Sequence, residues 1–407
     1  MSEDKNKFHV SVAHDGGNGY MKDQINSQRF TFPSVIATVL PGQEPQTIDT
    51  DNSEEVGKAM ASLYDHMDVT VQSKGVNING RYLVGKSAQI GTSTPISFNV
   101  NSNEGKSTSD ISIICLLSLL ATNAVTQYFT NNGELPNSLD ITVDKMDTAL
   151  PIDEIKLKGV RDTYTKRFAD HTHIVILNNF SVPITVTINF INVDIQPEGI
   201  IAANGLIADP SDYSMARNDG IFDSLKEKYN KSFSGQDILK MGNILGIDIG
   251  DGTIDFSVTN STSTVPTLNS SILMGIGNAT ENAIQALHQN YPMIGKITRQ
   301  QFMDIANRGD GMESQTYKQY LDTQLTMLEQ QIIEQIKSIY RSLNGQIGLI
   351  FLCGGGSIVL KEHFEDGLAK TIESLSPFET APILWVDRKF AQNLNLDGLE
   401  FRLAYMK

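Results

Sequence analysis

The sequence contains almost no cysteine. Its 407 residues include only Cys115 and Cys353, and each lies inside an apolar run. Such positions favour buried, reduced thiols over a disulfide or a metal site. A fold held together by disulfides is therefore not expected, and a reducing, cytoplasmic environment is the simplest setting.

Long hydrophobic runs are also missing. The first residues, Met1 to Lys7, carry charges with no apolar stretch after them, so we expect no secretory signal. The longest apolar segment, Ile111 to Val125, is interrupted by polar residues and is shorter than the ~20 residues that span a bilayer. This pattern is typical of a buried helix, and we predict no association with a membrane.

Positive charge is scarce. The 47 acidic and 32 basic residues give a formal net charge of −15. Such a surface repels the phosphate backbone, so we expect no direct binding to nucleic acid and an adaptor protein if DNA is handled at all. A nucleotide can still bind where a metal ion and backbone amides neutralise its phosphates.

The length and the order of the elements indicate an α/β protein. With 40% hydrophobic residues, the chain is long enough for two to three domains of roughly 100–200 residues each. β-rich segments precede helical segments in both halves. We further predict a peripheral insert at 41–74, a hairpin at 76–84 around an Asn-Gly turn, and strand-like alternation at 399–405.

One five-residue pattern occurs twice, each time between two predicted strands. Residues 15–19 (Asp-Gly-Gly-Asn-Gly) and 248–252 (Asp-Ile-Gly-Asp-Gly) both follow Asp-x-Gly-x-Gly. Glycine turns can bring backbone N–H groups against phosphate oxygens, and the Asp can hold water or Mg²⁺ beside them. A single copy is more often an ordinary glycine hairpin with an Asp cap. Two copies favour a phosphate site and two related domains that face one another.

Three other glycine segments are less specific. Residues 80–87 (Gly-Arg-Tyr-Leu-Val-Gly-Lys-Ser) match the P-loop expression, but the strand-like residues between the glycines argue against that loop, so we expect Lys86 to be dispensable. Residues 275–278 (Gly-Ile-Gly-Asn) either face a ribose or cap a helix. Residues 354–357 (Gly-Gly-Gly-Ser) either approach a flat or anionic group or form a plain strand-to-helix turn.

Histidines and single carboxylates add little to the site. His171 and His173 lie in a polar stretch and are expected to be solvated, and no Ser/His/Asp set emerges from the sequence. Glu198 follows a β-rich run where the first domain should cross into the second. It is either a functional carboxylate at that crossing or an ordinary surface acid.

Taken in order, these segments resemble the actin-like ATPases, and most closely the plasmid-segregation actins of the ParM and Alp type. Residues 15–22 resemble the first phosphate loop, 248–253 the second, and 354–357 the adenosine loop. Residues 148–151 (Thr-Ala-Leu-Pro) are similar to a Gly-Leu-Pro element, with Ala149 in place of the glycine. Residues 196–199 (Gln-Pro-Glu-Gly) match the segment that carries the hydrolytic glutamate.

The resemblance implies two ribonuclease-H-like domains around a cleft for ATP, or GTP, with Mg²⁺. Domain I would comprise 1–197 and 378–407, with a peripheral subdomain at 31–105, and domain II would comprise 198–377. The implied catalytic residues are Glu198, Asp15 and Asp248, and the two aspartates also hold the metal, mainly through water. The implied nucleotide-binding residues are Gly17, Asn18, Gly19, Lys22, Gly250, Asp251, Gly252, Thr253, Gly277, Gly354, Gly355, Gly356 and Ser357.

The same resemblance implies a cytoplasmic protein that assembles with itself into filaments. Such filaments would move plasmid DNA through a DNA-binding adaptor protein on a plasmid centromere. Two alternatives share the fold. A small-molecule kinase needs a substrate pocket with an Asp base, for which the sequence shows no motif. A scaffold of the MreB or FtsA kind needs an amphipathic, membrane-binding end, which neither the charged N-terminus nor residues 399–405 suggest.

Overall fold

The chain folds into two compact units. The first comprises the chain up to Leu150, Glu154–Gln196 and the segment from Leu399 onward, and the second comprises Pro151–Asp153 and Pro197–Gly398. The computed structural model describes residues 5–91, 93–99, 105–260, 263–309, 311–376 and 380–406.

The first unit is built on a ten-stranded sheet. Its strands are β1 (Lys7–Gly16), β2 (Tyr20–Ile25), β3 (Gln28–Pro33), β4 (Val35–Thr38), β5 (Asp68–Gln72), β6 (Gly80–Val84), β7 (Ile96–Ser97), β8 (Ser138–Leu150), β9 (His173–Leu177) and β10 (Ile184–Pro197). They lie in the order β3-β2-β1-β8-β10-β9-β5-β6-β4-β7. The helices up to residue 169 are α1 (Ser53–Met60), α2 (Lys86–Ile90), α3 (Ile111–Asn132), α4 (Ile152–Ile155) and α5 (Val160–Ala169).

Helix α3 is the central helix of this unit. It is long and apolar enough to cross a membrane, but 89% of its most apolar 18-residue window is buried inside the fold. Leu116, Leu117 and Leu120 pack into the same core as Val12 of β1. A helix that is apolar all round needs such complete burial, and the predicted buried helix is confirmed.

The second unit contains a six-stranded sheet, a separate two-stranded sheet formed by its first two strands, and most of the long helices. Its strands are β11 (Ala208–Asp209), β12 (Asp212–Ala216), β13 (Asn243–Ile249), β14 (Ile254–Asn260), β15 (Ser263–Thr264), β16 (Ser270–Ile272), β17 (Leu349–Cys353) and β18 (Ile383–Trp385). Its helices are α6 (Ile200–Ile207), α7 (Asp223–Tyr229), α8 (Gly235–Ile238), α9 (Ile276–Asn290), α10 (Arg299–Ala306), α11 (Met312–Ser342), α12 (Gly355–Leu375) and α13 (Arg388–Ala391). The last helix, α14 (Leu394–Tyr405), begins in this unit and ends in the first.

The two units repeat one strand order. In the first it is β3-β2-β1-β8-β10, and in the second it is β16-β14-β13-β17-β18. In the first unit β1 pairs antiparallel with β2 and parallel with β8, and in the second β13 pairs antiparallel with β14 and parallel with β17. Both Asp-x-Gly-x-Gly turns therefore join equivalent antiparallel strands, β1 to β2 and β13 to β14, as the repeated pattern predicts for related domains.

Two predicted elements are wrong. Residues 76–79 form no strand, because the Asn79 side chain accepts a hydrogen bond from the Ser73 N–H at 2.7 Å and shapes a longer loop between β5 and β6. Residues 399–405 are helical rather than strand-like. Leu396, Leu399 and Leu403 are buried at helical spacing along α14, and this spacing outweighs the short alternation.

The peripheral subdomain at 31–105 stays a prediction, and one predicted boundary differs from the structure. Strands β4 to β7 extend the main sheet, and Ile36, Val69 and Val84 share its core. Residues 380–398 lie in the second unit, where β18 pairs with β17. Residues 378 and 379 lie outside the described residues. The insert predicted at 41–74 contains α1 and β5, and β5 is an inner strand of the sheet.

Candidate nucleotide-binding site

The first glycine turn begins with an ion pair. Asp15 is buried near the end of β1, and its Oδ2 lies 2.5 Å from Nζ of Lys22. The two residues are direct cross-strand partners between β1 and β2. Because cross-strand partners lie side by side, the tight turn brings residues seven apart in sequence together. The structure thus joins the predicted metal residue to the predicted phosphate residue.

The backbone of this turn requires glycine. The Gly17 N–H donates to the Asp15 carbonyl at 2.9 Å, and Ser34 Oγ donates to the Gly17 carbonyl at 2.5 Å. A Cβ on residue 17 would lie 2.7 Å from the Tyr20 carbonyl oxygen, closer than packing allows. Around Gly19 the space is open. This turn is therefore both tightly built and accessible at its tip.

The side chain of Asn18 supports a ligand at this turn. Its Oδ1 atom is buried and has no hydrogen-bond partner among the described residues. Buried polar atoms are nearly always paired, so an orphan in a native fold calls for a missing partner such as a water, an ion or a ligand. This orphaned oxygen is a hydrogen-bond acceptor, so it fits a donor such as a metal-bound water beside Asp15.

A buried polar network adjoins the turn. His14 Nδ1 lies 2.5 Å from Asp23 Oδ1, His14 Nε2 lies 2.7 Å from Ser112 Oγ, and Ser112 Oγ lies 3.2 Å from the Tyr164 hydroxyl. The sequence did not reveal this Ser/His/Asp set, because His14 and Ser112 are 98 positions apart. Ser112 is 2% exposed, so it has no access to a substrate and is not a nucleophile.

The second glycine turn begins with a different partner. Asp248 is buried in β13, and its Oδ2 accepts a hydrogen bond from Asn395 Nδ2 at 2.6 Å. Asn395 Oδ1 is a second buried orphan among the described residues. Gly354 has a φ of +83°, and a Cβ there would collide with Asp248 Oδ1 and the Ile249 carbonyl. The structure therefore brings the predicted adenosine loop against the second predicted metal residue.

The rest of the second turn is closed by short local bonds. The Gly250 N–H donates to the Thr253 carbonyl at 2.9 Å, and Thr253 Oγ1 donates to Asp255 Oδ2 at 3.0 Å. Gly252 between them is buried. A Cβ on Gly250 would lie 3.0 Å from the Thr253 carbonyl oxygen. Gly250 is therefore tightly packed against the backbone of its own turn, as Gly17 is in the first turn.

Helix α9 starts against this turn. The Gly277 N–H donates to the Asp251 carbonyl at 2.7 Å, and the Asp251 carboxylate forms an ion pair with Arg299 of α10. A Cβ on Gly277 would collide with Arg299 Nη1 and Asp251 Oδ1. The structure therefore places Gly277 beside the second glycine turn and within the first turn of helix α9.

Residues 354–357 form a strand-to-helix turn between β17 and α12. Gly356 packs tightly against Ile249 and Ile276, while the only atoms near a Cβ on Gly355 belong to Gln392, the nearest at 3.6 Å. Ser357 is buried, and its Oγ donates to the Gly354 carbonyl at 2.8 Å. The plain turn is thus confirmed, and its position beside Asp248 is compatible with the ligand role.

Glu198 is buried, so the surface-acid alternative is wrong. The next residue, Gly199, has a φ of +77°, and a Cβ there would lie 3.3 Å from Ser257 Oγ on β14. Strand β14 also carries Asp255, the direct cross-strand partner of Asp248. The segment with Glu198 therefore packs against the strand pair that forms the second glycine turn.

Strand β8 ends at Leu150, within the predicted segment 148–151. The residue before this segment, Asp147, has a strongly shifted pKa. Burial raises the pKa of Asp147 to about 7, although Arg402 and the Gln196 amide favour the charged form. Arg402 Nε lies 3.3 Å from Asp147 Oδ2, and Gln196 Nε2 lies 3.1 Å from Oδ1. Asp147 thus links β8, β10 and α14 within the first unit.

Two other predicted residues lie apart from the turns. Lys86 opens α2 and pairs with Asp65 at 2.8 Å, with both side chains more than half exposed. The residues before it, Gly80–Val84, form strand β6. The prediction that the residues between the two glycines are strand-like, and not a P-loop, is therefore confirmed. His173 is buried rather than solvated, with Nδ1 2.7 Å from Ser73 Oγ and Nε2 2.9 Å from the Phe168 carbonyl.

Sequence reasoning missed several residues that shape the turns. Ser34, Ser112, Arg299 and Asn395 each contact a turn or its network, but none carries a motif of its own. His14 did carry a signal, because it is a polar residue that directly precedes Asp15 at the end of an apolar strand. No three His, Cys, Asp or Glu side chains in the described part of the chain are grouped as direct metal ligands.

Comparisons with known proteins agree with this architecture. Residues 13–200 match a family described as actin-like proteins, N-terminal domain. Residues 246–366 match one described as archaeal actin homologue MreB-like, C-terminal. No curated protein matches the chain.

Solved structures match almost the whole chain at low sequence identity. Actin-like protein Alp7A has a TM-score of 0.66 at 15% identity, covering 98% of this chain and 97% of its own. A 15-stranded ParM filament from Clostridium botulinum has 0.60 at 20%, covering 98% and 100%. Bacillus thuringiensis ParM with AMPPNP has 0.55 at 12%, covering 98% and 99%. Together with the two family matches, these structures show that the chain has the actin-like fold.

Proposed function

We propose that the chain is a filament-forming ATPase whose two Asp-x-Gly-x-Gly turns bind the phosphates of ATP. One observation carries the proposal. Both turns occupy the same position in the strand order of their units, and both combine a buried Asp with a tightly packed glycine, Gly17 or Gly250, where a Cβ would lie 2.7 Å or 3.0 Å from a backbone carbonyl oxygen. Backbone amides in such turns form anion-binding concavities.

The residues present fit a nucleotide with Mg²⁺. Asp15 and Asp248 would hold the water shell of the metal, which supplies charge neutralisation at the phosphates when bound. Lys22 would contribute a point charge, and Asn18 an amide that the fold itself leaves unpaired. The assignment covers GTP as well as ATP, since the turns contact phosphates and not the base.

Glu198 is the proposed hydrolytic residue. Phosphoryl transfer to water needs an oriented nucleophile, while metal and amides supply most of the charge stabilisation. A buried carboxylate beside the second-turn strands can accept a hydrogen bond from that water. Its burial in the second unit, at the chain crossing from β10, supports this role over that of a solvated acid.

Self-assembly and plasmid segregation complete the proposal. One similar structure is a ParM filament, and another is a ParM with AMPPNP. The net charge of −15 opposes direct contact with DNA, so a DNA-binding adaptor on a plasmid centromere would connect filament and cargo in the cytoplasm. A membrane scaffold is not favoured, because Leu399 and Leu403 of α14 are buried in the fold.

Sedimentation and phosphate release test the proposal together. Purified protein should pellet with ATP and Mg²⁺ and release phosphate, and it should stay in the supernatant without nucleotide or with ATP and a chelator. Electron microscopy of the pellet distinguishes filaments from aggregates. A protein that stays monomeric at tens of micromolar under every condition, and transfers phosphate only when a small molecule is added, would instead be a kinase.

A further inference from the structure

The buried set of His14, Asp23, Ser112 and Tyr164, here called the histidine network, takes no part in the proposed chemistry. All four residues are at most 2% exposed. They come from four different elements, β1, β2, α3 and α5. Each ring nitrogen of His14 has a partner, and the Ser112 hydroxyl can donate to one neighbour while it accepts from the other.

The network lies directly against the first glycine turn. A Cβ on Gly16 would lie 2.8 Å from Ser112 Oγ and 3.2 Å from His14 Nε2. His14 with Asp23, and Asp15 with Lys22, are successive cross-strand pairs. Any shift of the imidazole therefore displaces the peptide that leads into Asp15, and the start of the turn rests on the bond between His14 and Ser112.

The network is not the most stable way to fill this space. Asp23 Oδ2 is buried with no hydrogen-bond partner among the described residues, and burial raises the pKa of Asp23 despite the neighbouring His14. Apolar side chains of similar volume often give equal or greater stability than buried ionisable groups. Hydrogen bonds have defined lengths and directions, however, so a polar network sets a geometry that apolar contacts leave loose.

We propose that His14, Asp23 and Ser112 are positioning residues, which hold the first glycine turn in the conformation that binds phosphate. The phosphate ligand rests on the proposed function, whereas the geometry stands on the contacts above. The three side chains act through Asp15 and Gly16 and touch no ligand themselves. They make the turn rigid before nucleotide arrives, which lowers the ordering cost of binding.

Substitutions at two positions separate positioning from general stability. His14→Gln breaks the bond to Asp23, and its matched control is His173→Gln, which changes the other fully buried histidine of the first unit. Asp23→Ala removes the acceptor for His14 Nδ1, whereas Asp23→Asn keeps one. If His14→Gln fails to fold, the two Asp23 variants decide the question.

Two measurements are made on each folded variant. Hydrogen exchange of residues 15–20 is followed by mass spectrometry in nucleotide-free protein, and ATP affinity is measured with Mg²⁺. We expect faster exchange and about tenfold weaker binding for His14→Gln and Asp23→Ala, the loss of one hydrogen bond to a charged group. Asp23→Asn should stay near wild type, and His173→Gln should lose stability without changing exchange in the turn.

The outcomes bear on the two proposals separately. Equal exchange in the turn for His14→Gln and His173→Gln, or failure of Asp23→Asn to restore what Asp23→Ala loses, would overturn the positioning role. If wild-type protein binds no nucleotide, the proposed function fails. Hydrogen exchange in the nucleotide-free protein then decides the positioning role alone.

Discussion

The two glycine turns share a sequence pattern but are supported by different means. In the first unit, Asp15 pairs with the cation Lys22 and the turn rests on the histidine network. In the second unit, Asp248 accepts a hydrogen bond from the neutral Asn395 and packs against Gly354. Similar turns can therefore be held by ionisable side chains or by close backbone packing.

This difference concerns charge as well as packing. Among the residues that the structure describes, the two completely buried histidines, His14 and His173, belong to the first unit. The second turn also carries an ion pair, between Asp251 and Arg299, but its Asp248 is bordered by Asn395 and Gly354 and not by a cation. Three glycines pack closely around the second turn. A Cβ added at Gly275, Gly277 or Gly354 would lie 2.5 Å or less from a neighbouring atom. We expect the second turn to be more sensitive to steric change and the first to changes in charge and pH.

Gly354→Ala should have the largest effect. Alanine would have to adopt a φ of +83° with its Cβ against Asp248 Oδ1 and the Ile249 carbonyl. We expect a loss of about 2–4 kcal/mol in unfolding free energy and loss of nucleotide binding, measured by urea unfolding and by ATP titration.

Gly367→Ala on α12, the helix that follows Gly354, is the matched control. A Cβ there meets no atom within 4 Å, so stability should stay equal or rise by about 0.5–1 kcal/mol, the usual gain over glycine inside a helix. Equal losses for both variants would show that α12 tolerates no alanine in general, and that the packing at the second turn is not special.

Glu198→Gln should slow ATP hydrolysis about 10²-fold, the low end for a lost general base or positioning group. Binding depends on the turns, so ATP affinity should be unchanged and filaments should form. Light scattering should rise with ATP and fail to decay. Glu227→Gln, an exposed acid in the same unit, should behave as wild type. Wild-type phosphate release by Glu198→Gln would exclude the hydrolytic role.

Replacing Asp15 or Asp248 by asparagine removes one negative charge from one turn, so the two variants compare the turns directly. Asp15→Asn and Asp248→Asn should each weaken Mg²⁺-dependent ATP binding about tenfold or more, as expected when groups that hold a metal's water shell are lost. Only Asp15→Asn should also destabilise its unit clearly, because it breaks an ion pair, whereas an amide at 248 can still accept from Asn395. Equal effects on stability would contradict the difference between the turns.

Lys86→Ala is the control for this pair. Lys86 forms an exposed ion pair with Asp65, and such pairs contribute at most about 1 kcal/mol. ATP affinity should therefore stay within a few-fold of wild type. If Lys86→Ala abolishes binding while Asp15→Asn does not, residues 80–87 are a P-loop after all.

The pH dependence of the first unit should be the smallest effect. Burial lowers the pKa of His173 below its ordinary 6.5, so below that pH the unfolded chain binds more protons than the folded one. The contribution of His173 to stability should therefore fall from pH 7 to pH 5, by at most about 1.4 kcal/mol per pH unit. His173→Gln should reduce this slope, as measured by urea unfolding at each pH.

Between pH 7 and pH 5, Asp147 changes the stability of the first unit in the opposite direction to His173. Its pKa is raised to about 7, so its contribution to stability is lost as pH rises through that value. The difference between wild type and His173→Gln, rather than either slope alone, isolates the histidine. His171→Gln, at a partly exposed position, should leave the slope unchanged. A slope that His173→Gln does not alter would mean that this histidine titrates normally in the folded protein.

Much of the fold could be predicted because the decisive signals are local. The strand-turn-strand units around residues 15–19 and 248–252, the buried helix α3 and the strand β17 follow from short runs of apolar residues and glycines. The errors arose where local and longer patterns conflict. Residues 399–405 alternate over a few positions, but the leucine spacing from Leu396 to Leu403 makes them helical.

The sequence alone determined the backbone of the two turns, since glycine is needed wherever a Cβ would collide within a few residues, as at Gly17 and Gly250. Only the tertiary structure decided what supports them. Asn395 reaches Asp248 across 147 positions, and Ser112 reaches His14 across 98. Such contacts depend on how helices pack on a sheet, and no local pattern of residues encodes that packing.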